Sequence, residues 1–407
     1  MLILIGCIGL SIDVGRSVLV KARLSDALDA AGLAVGARVS TTDFSGDAKN
    51  FVTQNFASKY AGATVTNVTA TANSTKSVIT LSATATMPAA FMKLFGTNTV
   101  TVKATSEITR SSSGLELVMA LDNTGSMSSS MTSLKTAANA LLDVVFGPET
   151  VGTNLYVGLV PFSQAVNING APAKNWTTSS SYTNITCVEE LYLKANTSAA
   201  DTLDVNDQAP STTATKFPKL SSSSACPQKM LAMTRTKSTI TSAIGAMSAN
   251  GSTHVNLGAI WAWRMLSPKW RTYWSGDMAT YSLPLDYGTV HMSKAVVLMT
   301  DGANTFGTGD YTAYRELDDK RLGTKNQTAA EGVLDTRLTS ICGKMKSAGI
   351  VVYTVGFNLG TSPDEVAIKN ILAGCATSGQ VIEANAATIK AKFQDIGGAL
   401  SNLRVSK

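Results

Sequence analysis

Two apolar runs that end in aspartate constrain this chain more than any other feature. Leu115 to Leu121 reads as a buried strand closed by Asp122, and Asn123, Thr124, Gly125 and Ser126 follow on a tight loop. Ala295 to Met299 reads as a second buried strand, closed by Thr300, Asp301 and Gly302. Between them, Gly251 to Gly258 forms a turn that feeds the apolar helix Ala259 to Leu266 and offers Thr253 near its start. Open α/β sheets bind their ligands beyond the carboxyl ends of the strands. An acid and two hydroxyls on one such loop make half a cage for a hard cation, because Mg²⁺ and its relatives take oxygen ligands. Each piece alone is ordinary. Asp, Ser and Thr favour helix N-caps, and a strand ending in Asp-Gly is commonly a plain turn. Their order, each at a strand end, favours the cage.

The pattern Asp-x-Thr-x-Ser (Asp122, Thr124, Ser126), then Thr253, then strand-Thr-Asp-Gly (Asp301) resembles the von Willebrand factor type A domain and its metal-ion-dependent adhesion site. That family usually shows Asp-x-Ser-x-Ser; Thr124 keeps the hydroxyl and adds a methyl. The resemblance covers roughly Leu115 to the carboxyl terminus. It implies an α/β fold with a doubly wound, mainly parallel sheet. It also implies hydroxyl ligands from Thr124, Ser126 and Thr253, and carboxylates Asp122 and Asp301 bound directly or through water. One coordination position would stay open for a partner's carboxylate. The implied cofactor is a divalent cation, Mg²⁺ first, with Mn²⁺ or Ca²⁺ as alternatives.

The front of the chain is of a different kind. Met1 to Ile12 is uncharged and mostly apolar, and Asp13 and Arg16 follow at a spacing that lets them pair on one helix face. As a helix the uncharged run covers roughly 18 Å of a hydrocarbon core about 30 Å thick. Residues 1–20 are read as a membrane helix, with a buried core helix as the alternative. From Ala22 the chain reads as continuous helix, with Leu24, Leu28, Ala31, Val35 and Val39 on one stripe. The pieces Ile12-Asp-Val-Gly-Arg16 and Leu24-Ser-Asp-Ala-Leu-Asp-Ala-Ala-Gly-Leu-Ala34 resemble the amino-terminal region of TadE/TadG-like pilus-assembly proteins. Family members usually begin with a basic stretch and more apolar residues. The departure here predicts that the reading frame continues upstream of Met1.

Residues 21–110 read as an Ala-rich helix with a small antiparallel sheet in a pilin-like layout. The Val/Thr alternation at Thr64–Thr71, Ser77–Thr86 and Thr99–Thr109 supplies the strands. Asn73-Ser-Thr reads as a turn, Met87 to Phe95 as a short helix, and Ser111 to Gly114 as a linker. Residues 111–407 form the metal-site domain, with inserts at about 171–227 and 267–292. In it, helices are expected at Met131–Phe146, Lys237–Met247, Thr339–Ala348, Pro363–Leu372 and Ala386–Leu403. Strands are expected at Leu155–Phe162, Ile350–Phe357 and Gln380–Glu383. Pro161 marks an edge or an exit from the sheet. The second insert carries Trp270, Tyr273, Trp274, Tyr281 and Tyr287, which either form a binding surface or pack the loop onto its own domain.

Four cysteines, Cys187, Cys226, Cys342 and Cys375, lie in the large domain without a Cys-x-x-Cys spacing, which argues against zinc and thioredoxin-like chemistry. Three pairings are open. Cys187–Cys226 and Cys342–Cys375 each close a local loop and are preferred, and four buried free thiols are the alternative. Lys and Arg exceed Asp and Glu by 34 − 28 = 6, a scattered excess that gives no nucleic-acid patch. There are only two histidines, His254 and His291, and no nucleophile elbow, P-loop or dinucleotide fingerprint, so the chain reads as a non-enzyme. His254, beside Thr253, either touches a bound partner or is solvated.

These readings converge on a single-pass protein of the bacterial inner membrane with its bulk in the periplasm or envelope. Its expected role is to assemble or anchor Flp/Tad pili, with pilus or secretion-machinery components as partners. The alternatives are a surface adhesin for host matrix or carbohydrate, and a metal-site accessory subunit of an ATPase complex.

Overall fold

The computed structural model describes residues 2–37, 43–73, 78–109, 114–172, 174–179, 186–191, 203–221, 225–289 and 292–403. The chain divides into two compact units, Met1–Ser112 and Ser113–Lys407.

The first unit is a helix laid on a small sheet. Helix α1 (Leu2–Ala37) is followed by α2 (Phe44–Asn55). Strands β1 (Thr64–Ala72), β2 (Val78–Pro88) and β3 (Thr99–Thr109) form an antiparallel sheet in that order. Leu24, Leu28, Ala31 and Val35 of α1 are fully buried with Leu81, Ala83 and Ala85 of β2. Gly32 allows the close approach, since a Cβ there would stand 2.4 Å from Ile108. The carboxylate of Asp13 accepts from the backbone N–H groups of Ala90 (2.9 Å), Phe91 (2.8 Å) and Met92 (2.8 Å). Arg16 pairs with Asp13 at 3.5 Å and donates to the Ala61 carbonyl at 2.8 Å.

One expectation for this region changes, and one element is new. The membrane helix assigned to residues 1–20 is continuous with the Ala-rich helix as far as Ala37. Among the described residues no helix is long and apolar enough to cross a membrane. Asp13 and Arg16 follow the apolar run and are bonded to the loops of the small sheet. The short helix expected over Met87–Phe95 is a strand end and one 3₁₀ turn: Pro88 closes β2 opposite Thr99, and only Met92–Phe95 coil. Helix α2 was unforeseen; Asp43 starts it by accepting from the Gly46 N–H at 2.8 Å. Most of the expected turn after Asn73 and of the linker before Gly114 lies outside the described residues.

The second unit alternates strand and helix. In chain order its elements are β4 (Gly114–Asp122), α3 (Met131–Phe146), β5 (Leu155–Phe162), β6 (Leu231–Thr234), α4 (Lys237–Gly245), α5 (Val255–Leu266), α6 (Asp277–Thr280) and β7 (Met292–Thr300). Then come α7 (Gln327–Ser347), β8 (Val351–Phe357), α8 (Pro363–Cys375), β9 (Val381–Ala384) and α9 (Ile389–Leu403). The strand order is β6-β5-β4-β7-β8-β9, parallel throughout except for the short edge strand β6. This is the doubly wound α/β class expected from the sequence. Residues alternate along β4: Leu115, Leu117, Met119 and Leu121 pack with α3, α4 and α9, while Val118 and Ala120 pack with α5 and α7. Glu116 is the exception in this apolar strand. It lies fully buried opposite Lys294 of β7, pairs with that ammonium, and accepts from the Leu285 N–H at 2.8 Å.

Pro161 is where the sequence placed an exit, and the pairing explains how it fits. β6 covers β5 only at Val157 and Leu159, so the missing donor at Pro161 deprives no outer strand. The aromatic inserts resolve toward packing. Trp270 and Trp274 are fully buried, and Trp176 stands edge-on to both at 5.0 and 4.7 Å between ring centroids. Arg264 of α5 grips Glu190 of the first insert through two bonds of 2.9 and 2.7 Å, and both side chains are buried. The cysteines pair as Cys187–Cys226, within the first insert, and Cys342–Cys375, joining α7 to α8. Helix α7 starts at Gln327 rather than near Thr339, because Asn326 caps it by accepting from Ala329 N–H at 2.8 Å.

Candidate functional site

The strand order reverses between β4 and β7, and in a doubly wound sheet this is where a crevice opens beyond the carboxyl ends. Asp122 is the last residue of β4, and Asp301 directly follows β7. The two strands are neighbours, so the topology alone brings these carboxylates to one rim.

Hydrogen bonds tie the rim together. Asp122 Oδ1 accepts from the Thr124 N–H at 2.8 Å, and its Oδ2 accepts from the Thr300 hydroxyl at 2.7 Å. The Thr124 and Ser126 hydroxyls are 3.0 Å apart, and Ser126 donates to Asp301 Oδ1 at 2.7 Å. Four of the five oxygen-bearing residues singled out in the sequence are thus linked in one chain of contacts. Asp122 and Thr124 are buried, whereas Ser126 opens to solvent.

The fifth, Thr253, sits on the adjoining loop. That loop is fastened to the Asp122 loop by Gly125 N–H to the Gly251 carbonyl at 2.8 Å and Asn250 N–H to the Asn123 carbonyl at 2.7 Å. Gly251 has φ +87°, and a Cβ there would press on Ala225 at 2.6 Å and Gln164 at 2.7 Å, so the turn depends on glycine. Thr253 itself exchanges backbone bonds with Thr305, donating to the Thr305 hydroxyl at 2.9 Å and accepting from the Thr305 N–H at 2.8 Å. Its hydroxyl makes no hydrogen bond to Asp122, Thr124, Ser126 or Asp301.

The electrostatics follow from burial. Loss of water pushes the Asp122 carboxyl up to about 7, and the nearby Asp301 charge adds to it; the Thr124 and Thr300 bonds oppose the rise. Burial raises Asp301 too, against the pull of the Ser126 hydroxyl. Two carboxylates pushed toward protonation beside two hydroxyls form an oxygen-only donor set suited to a hard cation. No cluster of three or more His, Cys, Asp or Glu side chains assembles among the described residues. Hydroxyls therefore have to supply part of any coordination here.

Other residues support the rim and the adjoining loop. Thr300 orients Asp122, and its only signal was its place just before Asp301. Asp310 accepts from the Gly307 N–H at 3.0 Å and from the Ser252 hydroxyl, and so braces the loop that carries Thr253. Asn123 is fully buried with neither end of its amide hydrogen-bonded. His254, expected to be solvated or to touch a partner, is fully buried against Phe306 and Tyr314 at 5.4 and 5.9 Å between ring centroids. Burial holds its imidazole down to about 4, so the ring is neutral. His291 lies outside the described residues.

Comparison with known proteins adds family information at the amino terminus. Residues 1–38 match the family model described as "Putative Flp pilus-assembly TadE/G-like". No curated protein matches the chain. Among solved structures, the von Willebrand factor domain of the type V pili tip protein Mfa5 from Porphyromonas gingivalis is similar, with TM-score 0.41 and 12% identity over 73% of this chain and 97% of that one. The pilus adhesin SpaC from Lactobacillus rhamnosus GG aligns with TM-score 0.41 and 12% identity over 83% of this chain but only 34% of SpaC. The PilB minor pilin from Streptococcus sanguinis aligns with TM-score 0.35 and 13% identity, covering 84% of this chain and 79% of that one.

Proposed function

We propose that this protein is an envelope component that assembles or anchors Flp/Tad pili, held at the inner membrane by its amino-terminal helix. In this reading its larger unit grips a partner through a divalent cation. The observation that carries the cation site is the linked run Asp122–Thr124–Ser126–Asp301 at two adjacent parallel strand ends. Thr124, Ser126 and Thr253 would give hydroxyl oxygens, and Asp122 and Asp301 would supply charge directly or through water. The ion, Mg²⁺ by this donor set, would neutralise carboxylates that burial otherwise disfavours, and would hold a carboxylate of a pilus or secretion component in its remaining position. Thr300 keeps Asp122 turned to the rim, and Ser126 keeps its oxygen between the Thr124 hydroxyl and Asp301.

The test is calorimetric titration of Mg²⁺ into the full chain, with wild type and Asp122→Ala compared. Saturable binding in the wild type and none in the variant, with both folded by circular dichroism, is the expected result. Equal heats in both would end the cation reading. For the pilus role, a deletion strain should lose surface pili and regain them with wild type but not with Asp122→Ala. Intact pili with loss of host attachment would point to the free-standing adhesin instead.

A further inference from the structure

The first unit exposes a cluster of apolar side chains around one turn that no contact among the described residues explains. Leu94 and Phe95 are 75% and 72% exposed at the tip of the Met92–Phe95 turn. Beside that turn, α1 exposes Leu10, Val14 and Val18 at four-residue steps, with Ile12 and Leu19 flanking them, all between 43% and 60% exposed. The turn is fixed against this part of the helix. Asp13 accepts three successive backbone N–H groups at Ala90, Phe91 and Met92. Phe91 also packs so closely on Gly9 that a Cβ there would lie 2.6 Å from it. A rigid turn that holds a Leu-Phe tip in water gains nothing from it within the fold, and concentrated exposed apolar surface marks an interaction site.

Charge selects the occupant. Lys93 lies exposed within the turn, Lys59 is exposed where its carbonyl accepts from Gly62 beside Arg16 and Pro88, and the carboxylate of Asp13 is buried by its bonds to the turn. The acids gather at the opposite end. Asp29 bonds Ser106, which pairs with Leu81, itself paired with Ala70, where Ser45 and the start of α2 are tied. Asp43 and Glu107 lie at that level. An apolar tip that carries the exposed Lys93 within its own turn, with Asp29, Asp43 and Glu107 at the far end, matches an anionic bilayer surface, where apolar groups enter the acyl boundary and amines meet headgroups.

We infer that the Met92–Phe95 turn is a second apolar foot, which enters the interfacial layer of an anionic membrane alongside α1, and that Asp13 is the clamp that positions it. The inference rests on the membrane-anchored reading above and adds a site to it.

Flotation of the full chain with vesicles of phosphatidylcholine, with and without phosphatidylglycerol, tests the foot. Wild type should float with the anionic vesicles, and Leu94→Ser/Phe95→Ser should bind at least about tenfold more weakly, since two large apolar side chains lose their burial. All five native tryptophans are buried in the second unit. Emission from Phe95→Trp should therefore be quenched by brominated lipid while wild type is not. Equal flotation of the double variant with unquenched Phe95→Trp emission overturns the foot and leaves the membrane reading standing. Absence of wild-type flotation on either vesicle overturns both. If the double variant loses self-association by sedimentation while its flotation is unchanged, the surface serves a second copy of the chain and the foot is overturned.

Discussion

Thr300 decides how Asp122 is presented. Its hydroxyl donates to Asp122 Oδ2 from the end of the neighbouring strand, and so aims that carboxylate. Residues that orient ligands in this way typically change metal affinity by about 10- to 100-fold when removed. Thr300→Val keeps the shape and deletes the donor; it should raise the Mg²⁺ dissociation constant by about tenfold or more in a calorimetric titration. An unchanged constant would mean that Asp122 needs no such support. His254 gives a pH signature of its own. Its folded pKa of about 4 lies below the ordinary 6.5, so as pH falls through 6.5 the unfolded chain takes up a proton that the folded chain refuses. Stability from this group is complete above pH 6.5 and declines between 6.5 and about 4, by at most about 3 kcal/mol at about 1.4 kcal/mol per unit. Urea unfolding of wild type and His254→Gln at pH 7 and pH 4.5 checks it: the wild type should lose more stability between the two pH values than the variant.

At the level of elements, the β4–β7 pair carries both the rim and an unusual anchor. Glu116 and Lys294 face each other in register, both shielded from water, and burial pushes the Glu116 carboxyl up and the Lys294 ammonium down despite their mutual attraction. A pair of this kind contributes little net stability, but breaking it strands a buried charge. Glu116→Gln should therefore cost about 3–5 kcal/mol in urea unfolding, whereas Glu116→Met with Lys294→Met should be near neutral. A mild single variant would show that water reaches the site. The same strands show what was legible in the sequence. β4, β7 and β8 were readable because apolar runs of that length, broken at most by a single polar residue such as Glu116, have few alternatives in a doubly wound sheet. Asp122 and Asp301 were readable as their ends. β6 was not: four residues at an edge, held by two paired positions, carry too little pattern to announce a strand. Helix α2 was missed because its buried face is only Ala48 and Val52. The role of the tryptophans was undecidable from sequence, because burial of Trp270 and Trp274 depends on Trp176, nearly a hundred positions away.

For the molecule as a whole, the cation should act as a ligand that binds only the folded second unit. Asp122 and Asp301 meet only when β4 and β7 are paired, so an unfolded chain offers no comparable site. A ligand at one hundred times its dissociation constant then stabilises by about 2.7 kcal/mol. Each kcal/mol shifts the midpoint by about 2–4 °C for domains of roughly 150–250 residues and by somewhat less for a unit as long as Ser113–Lys407, which gives a rise of roughly 4 °C. The five tryptophans all lie in this unit, so their emission follows its unfolding without contribution from the first unit. Heating the full chain while recording that emission should show the shift with Mg²⁺, its reversal by chelator, and no shift in Asp122→Ala. Reductant has to be omitted, because Cys187–Cys226 and Cys342–Cys375 tie the first insert and α7–α8 within the same unit. If the midpoint in wild type does not move with saturating Mg²⁺, Mn²⁺ or Ca²⁺, the rim is held by its own hydrogen bonds alone, and adhesion through a shared cation is not the way this protein engages a partner.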